Sequence, residues 1–228
     1  MTLDLRVSPK TVQKLAVEKL RSAILDGIFK PGERLVEADL CARLGVSRAS
    51  LREALRSLEA ERLIAIVPNK GPLVSSVSWD EAEEIYKVRA LLEGEAAALF
   101  AARATPAQVE EMRAALADFT RAMDDPVTRL VATGQFYDII LSGCGNRIIH
   151  EVLKGLVARI TFLRSRSMSQ VGRAKQSAKE MRKILSAIEK GAPEEARSAA
   201  VDHVLRACAA ARAVYTSQQT PPRSTSAR

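Results

Sequence analysis

Histidine, cysteine and aromatic side chains are scarce in this sequence. Its 228 residues include two histidines (His150, His203), three cysteines (Cys41, Cys144, Cys208), one Trp, three Tyr and five Phe. Zinc sites built from Cys and His therefore lack their ligand clusters. Three scattered thiols, odd in number, fit a reducing compartment better than a disulfide framework. No HExxH, GxSxG, GxxxxGK[ST] or CxxC occurs, so nucleophile-elbow hydrolases and P-loop NTPases have no support. No run approaches the ~20 apolar residues that a bilayer-spanning helix needs. The opening MTLDLRVSPK has no apolar signal core. These absences lead us to expect a cytoplasmic protein with no cofactor, and they offer no positive sign of an enzyme.

What is present is a formal charge of +8, which inclines the chain towards polyanions. Residues 9–27 carry Val12, Leu15, Ala16, Leu20, Ala23 and Ile24 at helical spacing, with Pro9 near the start and Gly27 after the last apolar position. A turn at Phe29–Gly32 and a short helix over 37–44 follow. Gly45-Val46-Ser47 breaks that helix, and Ser47 is a good N-cap for the next one, RASLREALRSLEAE. The apolar runs Leu63–Val67 and Leu73–Val77, parted by Pro68-Asn69-Lys70-Gly71-Pro72, predict a hairpin with a basic tip. Helix, short helix, glycine turn, capped helix and hairpin is the order of a winged helix-turn-helix. The second helix of such a pair enters the major groove by its N-terminal turn, whose free N–H groups also favour phosphate. That turn carries Ser47, Arg48, Ser50 and Arg52. Arginine can grip guanine or phosphate with two bonds, and serine can serve either. Arg34 and the tip residues Lys70 and Gly71 are further candidates for base or backbone. Arg56, Arg62 and Lys19 read as solvated helix faces.

From Ser78-Trp79-Asp80-Glu81, a capping box, strand-like alternation disappears. Helices are predicted at about 79–102, 106–124, 126–142, 146–169, 172–190 and 193–214, each bounded by a Pro, Gly or cap signal. Six helices with short links make an antiparallel bundle. The fold class is therefore mainly α, with a winged helix-turn-helix at 9–77, a helical domain at 78–215 and a polar, proline-containing tail at 216–228 expected to be disordered. Acids exceed bases from Asp80 to Asp138, whereas bases dominate from Arg147 to Lys190. If some of those bases converge inward, the bundle prefers an anion. The run Arg164–Ser169 ends its helix where a gate could sit.

The stretches GIFKPGERLVEADL (27–40) and GVSRASLREAL (45–55) resemble the GntR family of bacterial transcription regulators, in the branch whose C-terminal ligand domain is all-helical. VRALLE (88–93), SGCGN (142–146) and ILSAIEKG (184–191) leading to Asp202-His203 extend the resemblance over residues 9–214. It implies Arg34, Arg48 and Arg52 as principal DNA contacts, assisted by Ser47, Ser50 and the tip at Lys70-Gly71. Arg62 departs from the family's usual Gly before the first wing strand. Cys41 stands where a small alanine is usual and is expected to fill core. Many members hold a divalent metal through an Asp, a His one turn on and two further His. Those positions fall on Thr133, Tyr137, Met181 and His203, so no metal is expected. The same pocket would take an effector through Arg89, Thr133, Tyr137, Arg159, Ser177, Met181 and His203. Plainer roles stand beside these: Arg89 as a structural ion-pair partner, His203 as a core histidine, Asn146 as a helix cap. The implied function is a dimeric repressor on a palindromic double-stranded DNA operator, released by a small anionic organic effector and with no membrane partner. The rivals are a ligand-independent architectural DNA binder, whose helical half only dimerises, and an enzyme built on Tyr137 and His203.

Overall fold

The computed structural model describes residues 10–25, 28–75 and 77–219, so Pro9, Gly27 and the tail from 220 onwards lie outside the described residues. In the N-terminal unit, α1 (Lys10–Leu25) buries Ala16, Val17, Leu20 and Ile24 along one face. Val12 and Leu15 remain half-exposed. Helix α2 (Glu37–Leu44) buries Leu40 and stops at Gly45, whose φ of 65° lets its N–H reach Cys41 O. Helix α3 (Arg48–Ala60) packs Leu51, Ala54, Leu55 and Leu58 inward. Arg21 of α1 grips Glu61, just past α3, through Nε at 2.8 Å and Nη2 at 2.6 Å.

The hairpin pairs β1 (Ile64–Val67) antiparallel to β2 (Gly71–Val74), with Ile64 opposite Val74 and Val67 opposite Gly71. The second strand thus begins two residues before the predicted start and ends three before the predicted finish. The cause is the turn. Lys70 N–H closes on Val67 O at 3.1 Å, with Asn69 at φ 63° and Gly71 at φ 80°, so pairing resumes at once. The far edge of β2 is covered by the segment before α2: Leu35 N–H donates to Pro72 O and Val74 N–H to Glu33 O. Arg34 sits in that bridge, opposite Leu73.

The second unit spans Val77–Arg228. It contains α4 (Trp79–Ala101), α5 (Pro106–Arg121), α6 (Pro126–Gly143), α7 (Arg147–Met168), α8 (Arg173–Glu189) and α9 (Pro193–Gln219). Thr105, Asp125 and Asn146 cap α5, α6 and α7. Ser78 caps α4, but Glu81 does not close the expected box, because its carboxylate pairs instead with Arg159 at 3.0 Å. Helices α4 and α9 run antiparallel at close range, an approach that their alanines permit. A Cβ on Gly94 would come within 2.7 Å of Val201. At one end of the pair, Tyr215 O–H donates to Val77 O at 2.7 Å and its ring meets Trp79 edge-on at 5.5 Å. Helix α9 continues to Gln219, so residues 216–219, placed in the tail from sequence, are helical. Thr216 Oγ1 donates back to Arg212 O, a bond within the helix.

Arg62 occupies the left-handed position that ends α3. Its φ is 58°, its N–H donates to Glu59 O and Leu63 N–H donates to Leu58 O. This is the paired-bond helix stop in which glycine is preferred, since a side chain there costs about 1 kcal/mol. Arg62→Gly is expected to stabilise the N-terminal unit by up to about 1 kcal/mol. Urea unfolding followed by circular dichroism reads this as a higher midpoint, and a lowered midpoint would contradict it.

Candidate functional site

Two constellations gather the residues singled out from sequence. The first is the front of α3. Ser47 Oγ accepts from Ser50 N–H at 3.2 Å and lies 3.0 Å from Ser50 Oγ, so the helix opens on two hydroxyls. Arg48 projects into solvent, and the first turn holds no acid to neutralise it. Arg52, one turn on, is 65% exposed and held by Glu37 of α2, Nε to Oε2 at 3.1 Å. That pair orients the guanidinium without burying it. Arg34 and Lys70 are exposed, and among the described residues neither joins an ion pair. Gly71 opens β2 with its positive φ. The N-terminal unit therefore presents Arg48, Arg52, Arg34 and Lys70 as water-facing cations on a rigid frame.

The second constellation is buried in the helical unit. Arg89, wholly buried on α4, donates to Glu93 one turn later, Nε–Oε1 at 2.8 Å and Nη2–Oε2 at 3.4 Å. Arg164 of α7 lies 3.8 Å from the same Glu93 oxygen and stacks over the Tyr137 ring of α6 at 4.5 Å. The Tyr137 ring in turn lies 5.8 Å from the His203 ring of α9. His203 Nδ1–H and Arg173 Nη2 both donate to Glu180 Oε2 of α8 at 2.8 Å. Since an ionised carboxylate only accepts, that bond fixes the imidazole tautomer. Ser177 Oγ lies 4.0 Å from the Met181 sulfur, and both are buried beside Glu180.

Burial opposes ionisation of Glu93, but the Arg89 and Arg164 charges and the Arg89 hydrogen bond hold its pKa below the ordinary carboxylate value. Burial likewise opposes ionisation of Glu180, and His203 and Arg173 outweigh it. Burial lowers the His203 pKa, Arg173 and Arg89 add to that, and the Glu180 hydrogen bond resists it. Burial and the Glu93 charge push the Tyr137 hydroxyl well up, so it stays protonated.

Six polar atoms of this cluster are buried without a hydrogen-bond partner: Arg89 Nη1, Tyr137 Oη, Arg164 Nε, Arg173 Nε and Nη1, and Glu180 Oε1. Buried polar atoms are paired in the great majority of cases, so this concentration of unpaired ones sets the cluster apart from ordinary core. A divalent metal does not suit it. Thr133 Oγ1 donates to Arg129 O within its own helix at 2.8 Å, Tyr137 stays protonated, Met181 offers only a thioether, and His203 is committed to Glu180 beside the Arg173 cation. Among the described residues no group of three His, Cys, Asp or Glu is placed to hold a metal ion.

Of the residues predicted for an effector, Arg89, Tyr137, Ser177, Met181 and His203 belong to this region, with Thr133 buried one turn before Tyr137. Arg159 does not join them, because its pairing with Glu81 draws it to the start of α4. Glu93, Arg164, Arg173 and Glu180 were not singled out as site residues. Their signal is periodicity. Leu153, Ile160, Arg164 and Ser167 fall on one inward stripe of α7, as do Arg173, Ser177, Glu180 and Ile184 on α8. Charged residues in phase with a core stripe are the clue. Arg164 points into the bundle and Ser167 is buried, so this helix end is packed core rather than a gate.

A helix-turn-helix with a two-stranded wing, joined in sequence to an all-helical unit, defines a class of DNA-binding regulator. The profile of bacterial regulatory proteins of the gntR family matches residues 12–74, and the FCD domain profile matches residues 84–206, more than half of the chain. The chain belongs to the GntR family of DNA-binding transcription regulators, with an FCD domain as its effector-binding part. It is 28% identical over 193 residues to the HTH-type transcriptional regulator YdhC of Bacillus subtilis (strain 168), covering 83% of this chain and 86% of that one. It is 32% identical over 153 residues to the HTH-type transcriptional repressor GlaR of Escherichia coli (strain K12), covering 63% and 70%. In fold it is similar to E. coli McbR/YncC, with a TM-score of 0.75, 21% identity and coverage of 91% of this chain and 99% of that one. A putative GntR regulator from Rhodococcus sp. RHA1 superposes with a TM-score of 0.73, at 24% identity and 88% and 97% coverage. This family is not a class of enzymes.

Two outcomes follow from the buried cluster. Glu93→Gln leaves Arg89 and Arg164 without their shared carboxylate and is expected to cost about 3–5 kcal/mol, read as a large fall in melting temperature. Acid should also weaken the unit. His203 has a folded-state pKa below its ordinary 6.5, so its contribution is complete above that value and is lost as pH falls towards the folded pKa. Melting temperature is expected to drop from pH 7.5 to 5.5, less steeply in His203→Gln. Equal slopes would contradict the assignment.

Proposed function

We propose that this protein is a cytoplasmic, dimeric repressor that leaves its operator when a small organic acid binds the helical unit without a metal. The observation that carries the effector half is the buried cluster: three guanidiniums face two carboxylates, and five of the six unpartnered atoms are on donor groups. What such a cluster lacks is an acceptor-rich anion. Arg89, Arg164 and Tyr137 are its receiving side, Ser177, Met181 and Thr133 its flanking wall, and His203 is held in place by Glu180. The effector reaches the cluster without Arg159.

For DNA, the reading rests on α3. Arg48 and Arg52 stand on successive turns at the end that can enter a major groove, Ser47 and Ser50 offer hydroxyls beside them, and Arg34, Lys70 and Gly71 lie on the strand-and-wing frame. A two-fold dimer would place two such helices on a palindromic site. The repressor name of GlaR supports the direction of control. Effector binding releases DNA only to the extent that it favours one arrangement of the dimer over the other.

Arg48→Ala and Arg52→Ala are each expected to weaken binding to the DNA upstream of the protein's own gene by about tenfold to a hundredfold. A variant that removes only a phosphate contact also lowers the salt dependence by about one ion. Fluorescence anisotropy at several salt concentrations measures both. Unchanged binding in both variants would overturn the α3 reading. A protein that binds DNA with little sequence preference and is stabilised by no acid would be the ligand-independent binder instead.

A further inference from the structure

The orphaned atoms of the buried cluster are not all of one kind. Arg89 Nη1, Arg164 Nε, Tyr137 Oη and Arg173 Nε and Nη1 are donors, whereas Glu180 Oε1 is an acceptor. Arg206 Nε lies 3.9 Å from that oxygen, outside hydrogen-bond reach. The other Glu180 oxygen already takes two donors, His203 and Arg173. The two ends of the cluster meet through Tyr137, whose ring touches Arg164 on one side and His203 on the other.

We propose that the group completing this cluster is a monocarboxylate that also carries a hydroxyl, and that Glu180 and Arg173 select it. The proposal rests on the organic-acid reading above and narrows it. Charge sets the first limit. Among the groups that are themselves buried, three arginines against Glu93 and Glu180 leave an excess of one positive charge, which a single carboxylate cancels, whereas Arg206, the exposed further partner of Glu180, keeps its charge in water. A dicarboxylate would reverse the imbalance instead of removing it, and the cluster has no spare proton to offer, because His203 is held neutral by burial. The orphan acceptor sets the second limit. A carboxylate between Arg89, Arg164 and Tyr137 leaves Glu180 Oε1 without a hydrogen-bond donor, and a donor on the ligand supplies one. An ammonium would bring a second cation against Arg173 and restore the positive excess. A hydroxyl adds no charge, donates to Glu180 Oε1 and accepts from Arg173. An aliphatic acid without it leaves a buried carboxylate oxygen and an arginine unpaired, which is the situation in which polar recognition discriminates most strongly.

The test is a calorimetric and thermal-shift comparison of the full chain with two matched sets. The first is butyrate, its 2-, 3- and 4-hydroxy derivatives, 2-aminobutyrate and succinate. The second is phenylacetate, mandelate, phenylglycine and phenylmalonate. The expected result is that one hydroxy acid binds at least tenfold tighter than its parent, amino and dicarboxylate counterparts. In Glu180→Gln that preference is expected to shrink below threefold, while the affinity for the parent acid holds. The wild-type ranking stands alone if this variant fails to fold. Parent or amino acids binding as tightly as the hydroxy acids would overturn the hydroxyl. A dicarboxylate binding tightest would overturn the charge argument. In both cases the organic-acid reading survives. No binding by any of the ten compounds would overturn both.

Discussion

A set of buried charges that depend on one another is the constraint on which the second half of this protein turns. Glu93 is shared by Arg89 and Arg164, and Glu180 by Arg173 and His203. None of these groups is tolerable alone, because a lone buried charge costs several kcal/mol even after relaxation. Their mutual dependence ties α4 to α7 and α8 to α9, and the Tyr137 ring of α6 lies over Arg164 and beside His203. It also leaves the interior with polar atoms that have no hydrogen-bond partner. An apolar core of the same volume would be at least as stable but would have nothing to recognise.

Most of the fold was legible because its signals are local. Thr105-Pro106, Asp125-Pro126 and Asn146 mark helix starts through bonds made within three residues, and the structure places caps at each. Gly45 and Ser47 likewise set the gap between α2 and α3. Errors arose where a long-range partner overrode the local rule. Glu81 abandoned its capping box for Arg159. The second wing strand starts early because a tight turn and the neighbouring Glu33–Leu35 segment pair with it.

The ionic cluster was legible only in halves. Arg89, Tyr137, Met181 and His203 were reached through a resemblance, as positions in a pattern. Their partners Glu93, Arg164, Arg173 and Glu180 look like ordinary helix charges until the phase of each apolar stripe is followed through them. Residue by residue, a basic run says nothing about which side chains turn inward. In that run Arg164 and Arg173 are buried, while Arg147, Lys154, Lys175, Lys179, Arg182 and Lys183 remain exposed.

Tyr215, near the end of α9, bonds to the carbonyl of Val77, the residue with which the helical unit begins. The start of that unit and the last turns of α9 are therefore tied to each other. A unit whose two ends adjoin can be moved as a cassette. Severing the chain ahead of Val77 would leave that tie, and the ion pairs around Glu93 and Glu180, uncut.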